Sequence, residues 1–536
     1  MDADEGRRRL TGLWDRLYPG ESAVRDALVG FLEDSRGRLP TDPSLSFDPS
    51  GLVYSCYGDA FSGQDGARGE PLDFLADEID RLKDLGVKTL WILPLLRSPG
   101  RDEGFDISDY GAVDPRFGGN AALARLLTRA RKAGILVVFD IAINHTSDTH
   151  PWFISARADR RSPHRSWYHW SDDAGGFAGA SVIFEGMVAS NWTWSDEAGQ
   201  FYFHRFYPFQ PDLNYAEPAV TAEMVRALAS WRLAGVEGFR LDAAPMLWKA
   251  EGTSCESLPQ THLVLKIFRA SLAILGGETL LLAEANQPAE VLRGYFGDGD
   301  ECHAAFHFPL LPLLWKALVR EDPAAITDVH FPHIPQECAW FTFLRCHDEL
   351  TLDLLPDPER KEILHALCRQ PSWEFRGGQG ISSRLFELLG RDPVWTVLAF
   401  SLLFSLPGTP VLYYGDEIAS ANNEQFLAVK ARATGFPDSR FLHRGPFDRE
   451  RARHAAQDPG SPEGWVLSGL RRILDLRMRI PGLAAVEPAL TVEGPVLVSE
   501  RQASGRLLRS LSNLSGRPAA ARGRTLGPHE CVWEIE

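Results

Sequence analysis

Apolar positions recur with two different periods along this 536-residue chain. In residues 1 to about 45 they fall at helical spacing: Leu10, Leu13 and Leu17, then Val24, Leu28 and Leu32. Stripes of that kind predict helices with one buried face, here a separate helical extension. Pro40, Pro43 and Pro49 then mark a linker. From residue 52 short apolar runs alternate with amphipathic stretches. The runs are Leu52–Phe61, Thr89–Leu95, Ile135–Asn144, Gly238–Ala244, Thr279–Asn286, Ala304–Leu311, Trp340–Asp348 and Pro410–Ile418. Helical patterns at Phe74–Leu85, Ala121–Ala133, Ala219–Ala234 and Val394–Leu406 lie among them. Strand–helix alternation implies parallel pairing. Eight repeats predict an α/β fold of the closed (β/α)8 TIM-barrel type. An open doubly wound sheet is the rival, but no Gly-rich phosphate loop follows the first run.

Two connections are too long for a plain barrel and predict inserted subdomains after the third and seventh strands. The expected organisation is a helical extension over 1–48 and a barrel over 49–145, 217–348 and 394–482. Residues 146–216 form one insertion, 349–393 a shorter one, and 483–536 a small C-terminal β domain.

Composition narrows the partners. Acidic residues outnumber basic ones, 72 to 56, for a net charge of -16. That balance repels nucleic acid and is indifferent to a neutral substrate. The seven cysteines are odd in number and contain no CxxC pair, which argues against a disulfide framework or a zinc site. Met1–Arg9 is charged, and Pro407, Gly408 and Pro410 split the most apolar run, Val394–Tyr414. A cytoplasmic protein without a signal peptide or membrane span is the expectation. Nothing in the sequence sets the oligomeric state.

In a barrel of this type reactive groups gather at the C-terminal ends of the strands. Four candidate strands end in polar residues: Asp140-Ile-Ala-Ile-Asn144-His145, Gly238-Phe-Arg240-Leu-Asp242, Ala283-Glu284-Ala-Asn286 and Arg345-Cys-His347-Asp348. Arg240 and Asp242 are two apart on a strand and so share a face. A guanidinium there lowers the carboxylate pKa and keeps Asp242 ionised, as a nucleophile requires. Glu284 follows the apolar run Leu280–Leu282 between small alanines, surroundings that suit a general acid. Two carboxylates flanking a glycosidic bond are the minimal machinery of sugar hydrolysis. Asp348 is a third whose role spacing alone does not assign.

At these four strand ends the sequence resembles the α-amylase clan, glycoside hydrolase family 13. DIAINH, GFRLDAAP, LLAEAN and FLRCHD resemble the family's four short motifs in order, and the likeness covers roughly residues 50 to 480. The resemblance implies Asp242 as nucleophile, Glu284 as acid/base and Asp348 as transition-state stabiliser. It further implies that His145 and His347 contact hydroxyls of the reacting sugar, that Arg240 orients Asp242, and that Asp140 is structural. Within the family the likeness is strongest to amylosucrase and related sucrose-active enzymes, through Leu247–His262, Phe209–Tyr215 and Asp438–Pro446. Asp102 resembles an aspartate that closes the pocket around one glucose, with Phe105 stacking on the ring and Arg444 pairing with Asp102. The expected reaction is therefore double displacement on sucrose, with glucose passed to a sugar or to water. A trehalose synthase type isomerase or an α-glucosidase of maltose-like sugars is the alternative, since trehalose synthase shares the QPDLN stretch. A non-catalytic member is the remote one, disfavoured because all three acids are present. Many relatives bind calcium. Here Asp59–Asp65 is a poor Asp/Asn loop and Lys249 would repel Ca²⁺, so no metal and no other cofactor is expected.

Overall fold

Each of the eight apolar runs contributes one parallel strand to a single closed barrel. The computed structural model describes residues 1–40, 45–62, 69–184, 186–327, 329–435, 438–483 and 486–536. The strands are β1 (Leu52–Cys56), β2 (Val87–Ile92), β3 (Leu136–Ala142), β4 (Gly238–Asp242), β5 (Leu280–Ala283), β6 (Ala304–Phe306), β7 (Ala339–Phe343) and β8 (Thr409–Tyr413). They pair in chain order, and β8 closes on β1. Apart from Lys88 on β2 every strand residue is buried, because helices cover the outer face and side chains fill the interior. That double burial is why the strands read as unbroken apolar runs. Gly238 opens β4 where a Cβ would meet the Leu280 carbonyl at 2.7 Å, so its lack of a side chain lets β4 and β5 pair.

All eight runs extend past the ends of their strands, the sixth and the eighth into helical structure. Only Ala304–Phe306 of the sixth is extended; a helix, Leu310–Arg320, starts directly after Pro309. The eighth stops at Tyr413, and Gly415 (φ 87°) turns the chain into a short 3-10 segment, Asp416–Ile418.

The N-terminal extension forms helices Ala3–Leu17 and Ser22–Ser35. It is not separate, as the periodicity suggested. Leu10 and Trp14 are fully buried, and the first helix packs along the barrel helix Pro259–Ile274. The Tyr18 hydroxyl donates to the Tyr215 carbonyl at 2.8 Å. An apolar stripe shows that a face is covered, not by what.

The segment after β3 carries a small antiparallel sheet of Trp170–Ser171, Trp192–Ser195 and Gln200–Phe203. The one after β7 holds the helix Asp357–Leu367 and three two-residue strands. The C-terminal part is a four-stranded antiparallel sheet beside a two-stranded one. It docks on the barrel helix Pro393–Ser405, where Trp533 Nε1 donates to Ser401 Oγ at 2.7 Å. Among the described residues no helix is long and apolar enough to cross a membrane.

Candidate active site

Strand register assembles the site. Asp140 lies beside Arg240 and Ala142 beside Asp242 across β3 and β4, while Leu241 faces Ala283 across β4 and β5. The polar ends of three strands therefore meet at one level. Arg240, 1% exposed, is their hub. Its Nη1 donates to Asp242 Oδ1 at 2.9 Å and also binds Asp140, while Nη2 binds Glu284. Trp91 Nε1 donates to the other oxygen of Asp140 at 3.0 Å. The second oxygen of Glu284 accepts from the Ala243 amide at 3.0 Å. Ala243 holds a left-handed φ of 51°, a strained conformation for a residue with a Cβ. Asp242 and Glu284 are thus held on the two terminal nitrogens of one planar guanidinium.

Asp348 lies five residues beyond the end of β7. Its Oδ1 accepts from Arg440 Nη1 at 3.2 Å and Arg444 Nη2 at 3.3 Å, and His347 Nε2 lies 3.2 Å from Oδ2. In the lining of the same cavity Gln210 Nε2 donates to Asp102 Oδ2 at 3.0 Å and lies 3.3 Å from His145 Nε2. Phe105 stacks on His347, 5.5 Å between ring centroids at 17°. The structure thus brings Asp102, Phe105, His145, Arg240, Asp242, Glu284, His347 and Asp348 together.

One pairing differs from expectation. Arg444 does not bind Asp102: its Nε donates to the His347 carbonyl at 2.9 Å and its Nη2 to Asp348. Arg440 faces Asp102, at 3.6 Å, with its fork held by Asp438 at 2.7 and 3.0 Å. Asp438 caps the short 3-10 segment Ser439–His443, which carries Arg440 and leads into Arg444, so that both arginines reach Asp348 Oδ1 while Arg440 is the one that faces Asp102. Gln210 and Arg440 were missed as site residues, although both lie inside stretches singled out in the sequence, QPDLN and DSRFLHRGP.

Burial sets the electrostatics. It pushes the Asp242 carboxyl well above the usual range, and the charge of Glu284 adds to the effect; Arg240 pulls the other way without reversing it. The expectation that Arg240 leaves Asp242 with a lowered pKa is therefore corrected, since desolvation is the larger influence. Burial likewise raises Asp140 to about 7 and Asp102 to about 6, against Arg240 in the first case and Arg440 and Arg444 in the second. Asp348 goes the other way. Burial opposes its charge, but His347, Arg440, Arg444 and Arg240 outweigh that and hold it below the ordinary carboxylate range. Burial keeps His347 itself neutral, so we assign the effect to the three guanidinia. Burial also lowers His145 to about 4, leaving a neutral imidazole at neutral pH.

Lys249 Nζ lies 2.8 Å from Asp212 Oδ2 and donates to Asn144 Oδ1 at 2.7 Å, with both charged side chains fully buried. An ammonium thus occupies the space between a β3-end amide and a carboxylate of the following insertion. Burial favours a protonated Asp212, but the Lys249 ammonium and the hydrogen bond from the Arg205 amide hold it ionised, below its ordinary pKa. Cys346, His347 and Asp348 offer ligand atoms within 4.8 Å of one another. The arginines on Asp348 and a Cys346 thiol pushed up to about 12 by burial make that trio a poor cation site. Of the Asp59–Asp65 loop, positions 63–65 lie outside the described residues.

The three acids line a cavity of about 420 Å³, within the range of small-molecule pockets. A closed parallel barrel with carboxylates at its strand ends, entered by such a cavity, is the architecture of a carbohydrate-active hydrolase or glucosyltransferase. The chain belongs to the α-amylase family: the family's catalytic domain, "Alpha amylase, catalytic domain", matches residues 55–349. It is 41% identical over 391 residues to Trehalose synthase/amylase TreS of Mycobacterium tuberculosis, covering 72% of this chain and 64% of that protein. With the TreS of Mycolicibacterium smegmatis it shares 45% identity over 351 residues, 64% of this chain and 59% of the relative. With the trehalose synthase of Thermus thermophilus it shares 43% over 352 residues, 65% and 36%. The chain thus spans less than two thirds of these relatives. Among solved structures, the α-glucosyl transfer enzyme XgtA superposes with a TM-score of 0.68 at 23% identity, over 91% of this chain and 100% of that one. The α-amylase from H. orenii gives 0.69 at 21%, over 91% and 99%. These two likenesses bear on the fold.

The relatives overturn the sucrose reading. Proteins 41–45% identical to this chain are trehalose synthases, not amylosucrases. The stretches that suggested amylosucrase supply Gln210, Arg440 and their neighbours. Those residues line the cavity beside the acids, and a polar lining of that kind suits enzymes of several disaccharides, so the stretches did not discriminate between branches.

Proposed function

We propose that this protein is a retaining α-glucosyl enzyme of trehalose synthase type, interconverting maltose-like and trehalose-like disaccharides. The observation that carries the reading is the polar cluster beside the acids. Gln210 donates to Asp102 and lies against His145, Arg440 faces Asp102, and all four line the same cavity of about 420 Å³ as Asp242, Glu284 and Asp348, a size that suits a small sugar. The 41–45% identity to trehalose synthases supports the disaccharide class.

In this reading Asp242 attacks the anomeric carbon while Glu284 protonates the departing glycosidic oxygen. A covalent glucosyl-enzyme forms. Glu284, now a base, takes the proton from a hydroxyl of the acceptor glucose, which attacks the same carbon from the face it left, so configuration is retained. Asp348, kept anionic by its arginines, stabilises the positive charge that develops on the sugar ring. His145, neutral, and Asp102 fix ring hydroxyls. Lys249 takes over the neutralising role that a cation plays elsewhere, and no cofactor enters the cycle.

The test is to incubate the purified protein separately with maltose, trehalose, sucrose and starch and to resolve the products. Interconversion of maltose and trehalose, with a minor yield of glucose, is expected. Internal cleavage of starch, or sucrose consumed faster than maltose, overturns the reading.

A further inference from the structure

An isomerase must hold the glucose it has just released, turn it, and present a different hydroxyl before water reaches the glucosyl-enzyme. The groups that bind this loose sugar belong on the acid/base side of the cavity, since Glu284 faces the leaving group. Glu256 stands there. It lies in the segment between β4 and the helix Pro259–Ile274, and it lines the same cavity as the three acids. Gln287, three residues past Glu284, donates its Nε2 to Glu256 Oε2 at 2.8 Å. On the other oxygen sits the guanidinium of Arg205, a fully buried residue of the insertion after β3. Arg205 also donates to the Ser254 carbonyl at 3.2 Å and so grips the loop that carries Glu256.

That loop is strained on both sides of the carboxylate. Cys255 and Ser257 have φ of 57° and 51°, left-handed values that a residue with a Cβ adopts only when its surroundings impose them. Here the surroundings are visible. The Ser257 amide donates to the Pro245 carbonyl at 2.8 Å, its hydroxyl bonds Tyr295 Oη at 2.7 Å, and the Cys255 amide donates to Thr253 Oγ1 at 3.1 Å. Two strain points flanking one acid aim it; a carboxylate needed only to neutralise Arg205 would not require them.

We propose that Glu256 is the acceptor-binding carboxylate, which holds the released glucose through its hydroxyls and thereby decides between transfer and hydrolysis. The proposal rests on the double-displacement reading above. A carboxylate offers acceptor sites on both oxygens and makes charge-assisted hydrogen bonds to sugar hydroxyls, stronger than neutral ones. It also accommodates more than one orientation of the sugar, because its lone pairs do not distinguish which hydroxyl donates. Arg205 and Gln287 keep it in place while leaving its remaining lone pairs to the ligand.

The experiment measures a ratio within one tube. α-Glucosyl fluoride is supplied as donor and labelled glucose as acceptor, and labelled disaccharide is compared with hydrolysed donor. Because the ratio does not depend on how much protein is folded, a partly unfolded variant still reports. Glu256→Gln should lower the ratio about tenfold and raise the KM for glucose, since one charge-assisted bond becomes neutral. Gln287→Ala, which releases one oxygen of Glu256, should lower it in the same direction by less. An unchanged ratio in Glu256→Gln overturns the proposal, whatever its specific activity. If the wild type forms a labelled disaccharide that is not trehalose or maltose, the isomerase reading fails, while the ratio still decides the role of Glu256.

Discussion

Replacing Lys249 by Met should cost the fold more than any exposed ion pair in the molecule. Its ammonium lies 2.8 Å from Asp212, both side chains have no exposure, and it donates to Asn144 as well. An exposed pair contributes roughly 0–1 kcal/mol, but removing one partner of a buried pair strands the other charge and costs about 3–5 kcal/mol. Asp212 keeps one compensating bond, from the Arg205 amide at 2.9 Å, so a loss near the lower end, about 3 kcal/mol, is expected. The pH dependence has a defined sign. Asp212 has a folded pKa below its unfolded one, so its contribution is complete above the unfolded value. It disappears as pH falls through the folded one. Urea unfolding followed by tryptophan fluorescence at pH 7 and at lower pH measures both. The double variant Lys249→Met, Asp212→Leu should recover part of the loss, because no unpaired charge remains. EDTA should leave the wild-type midpoint unmoved. A single-variant loss below about 1 kcal/mol, or an EDTA effect reversed by calcium, would refute the assignment of the neutralising charge to Lys249.

Three further outcomes follow from the site. Asp242→Asn should abolish turnover of every substrate, while Glu284→Gln should abolish turnover of disaccharides yet still be glucosylated by α-glucosyl fluoride, whose leaving group needs little protonation; product release with that donor checks both. Arg440→Ala should lower kcat/KM on maltose by about 10²-fold or more, because Asp102, Asp348 and Asp438 lose a shared guanidinium; Arg444→Ala, which leaves Asp102 and Asp438 served, should cost less, and equal losses would contradict the geometry. Asp102→Asn should stabilise the protein by about 1–3 kcal/mol at pH 7 while weakening substrate binding, because burial raises the Asp102 pKa to about 6 and the charged form is the costly one; the stability gain should fade as pH drops below that value, which thermal unfolding across pH 4–8 measures.

The barrel was legible because its strands are buried on both faces and its helices on one, so two periods separated them cleanly. Their ends were less legible. Pro309 belongs to the start of a helix, yet it sits in an apolar run that extends a strand by composition alone. The acids were legible as polar residues closing apolar strands, an arrangement that a folded core tolerates only with partners. Which of two arginines four residues apart would meet Asp102 was not, because the turn after Asp438 sets their directions and no periodic pattern encodes it. The direction of the Asp242 shift was hidden for a related reason: neighbours in sequence reveal Arg240, whereas the depth of burial depends on the whole barrel.

Arg240 explains why so many acids tolerate one small volume. Asp140, Asp242 and Glu284 all reach its guanidinium, and a single positive charge does not neutralise three carboxylates in a buried site. Protons make up the difference, which is why burial lifts Asp140 and Asp242 rather than lowering them. For the proposed mechanism the retained proton must sit on Glu284 and leave Asp242 ionised when the sugar binds, so burial works against the nucleophile and Arg240 is the group that favours its charge. Asp348 is excluded from this sharing by its own arginines and stays charged. The barrel thus separates two electrostatic environments by giving the acids different cations: a crowded cluster on Arg240, to which the proposed mechanism assigns bond making and breaking, and a fixed anion on Arg440 and Arg444, to which it assigns the charge developing on the sugar.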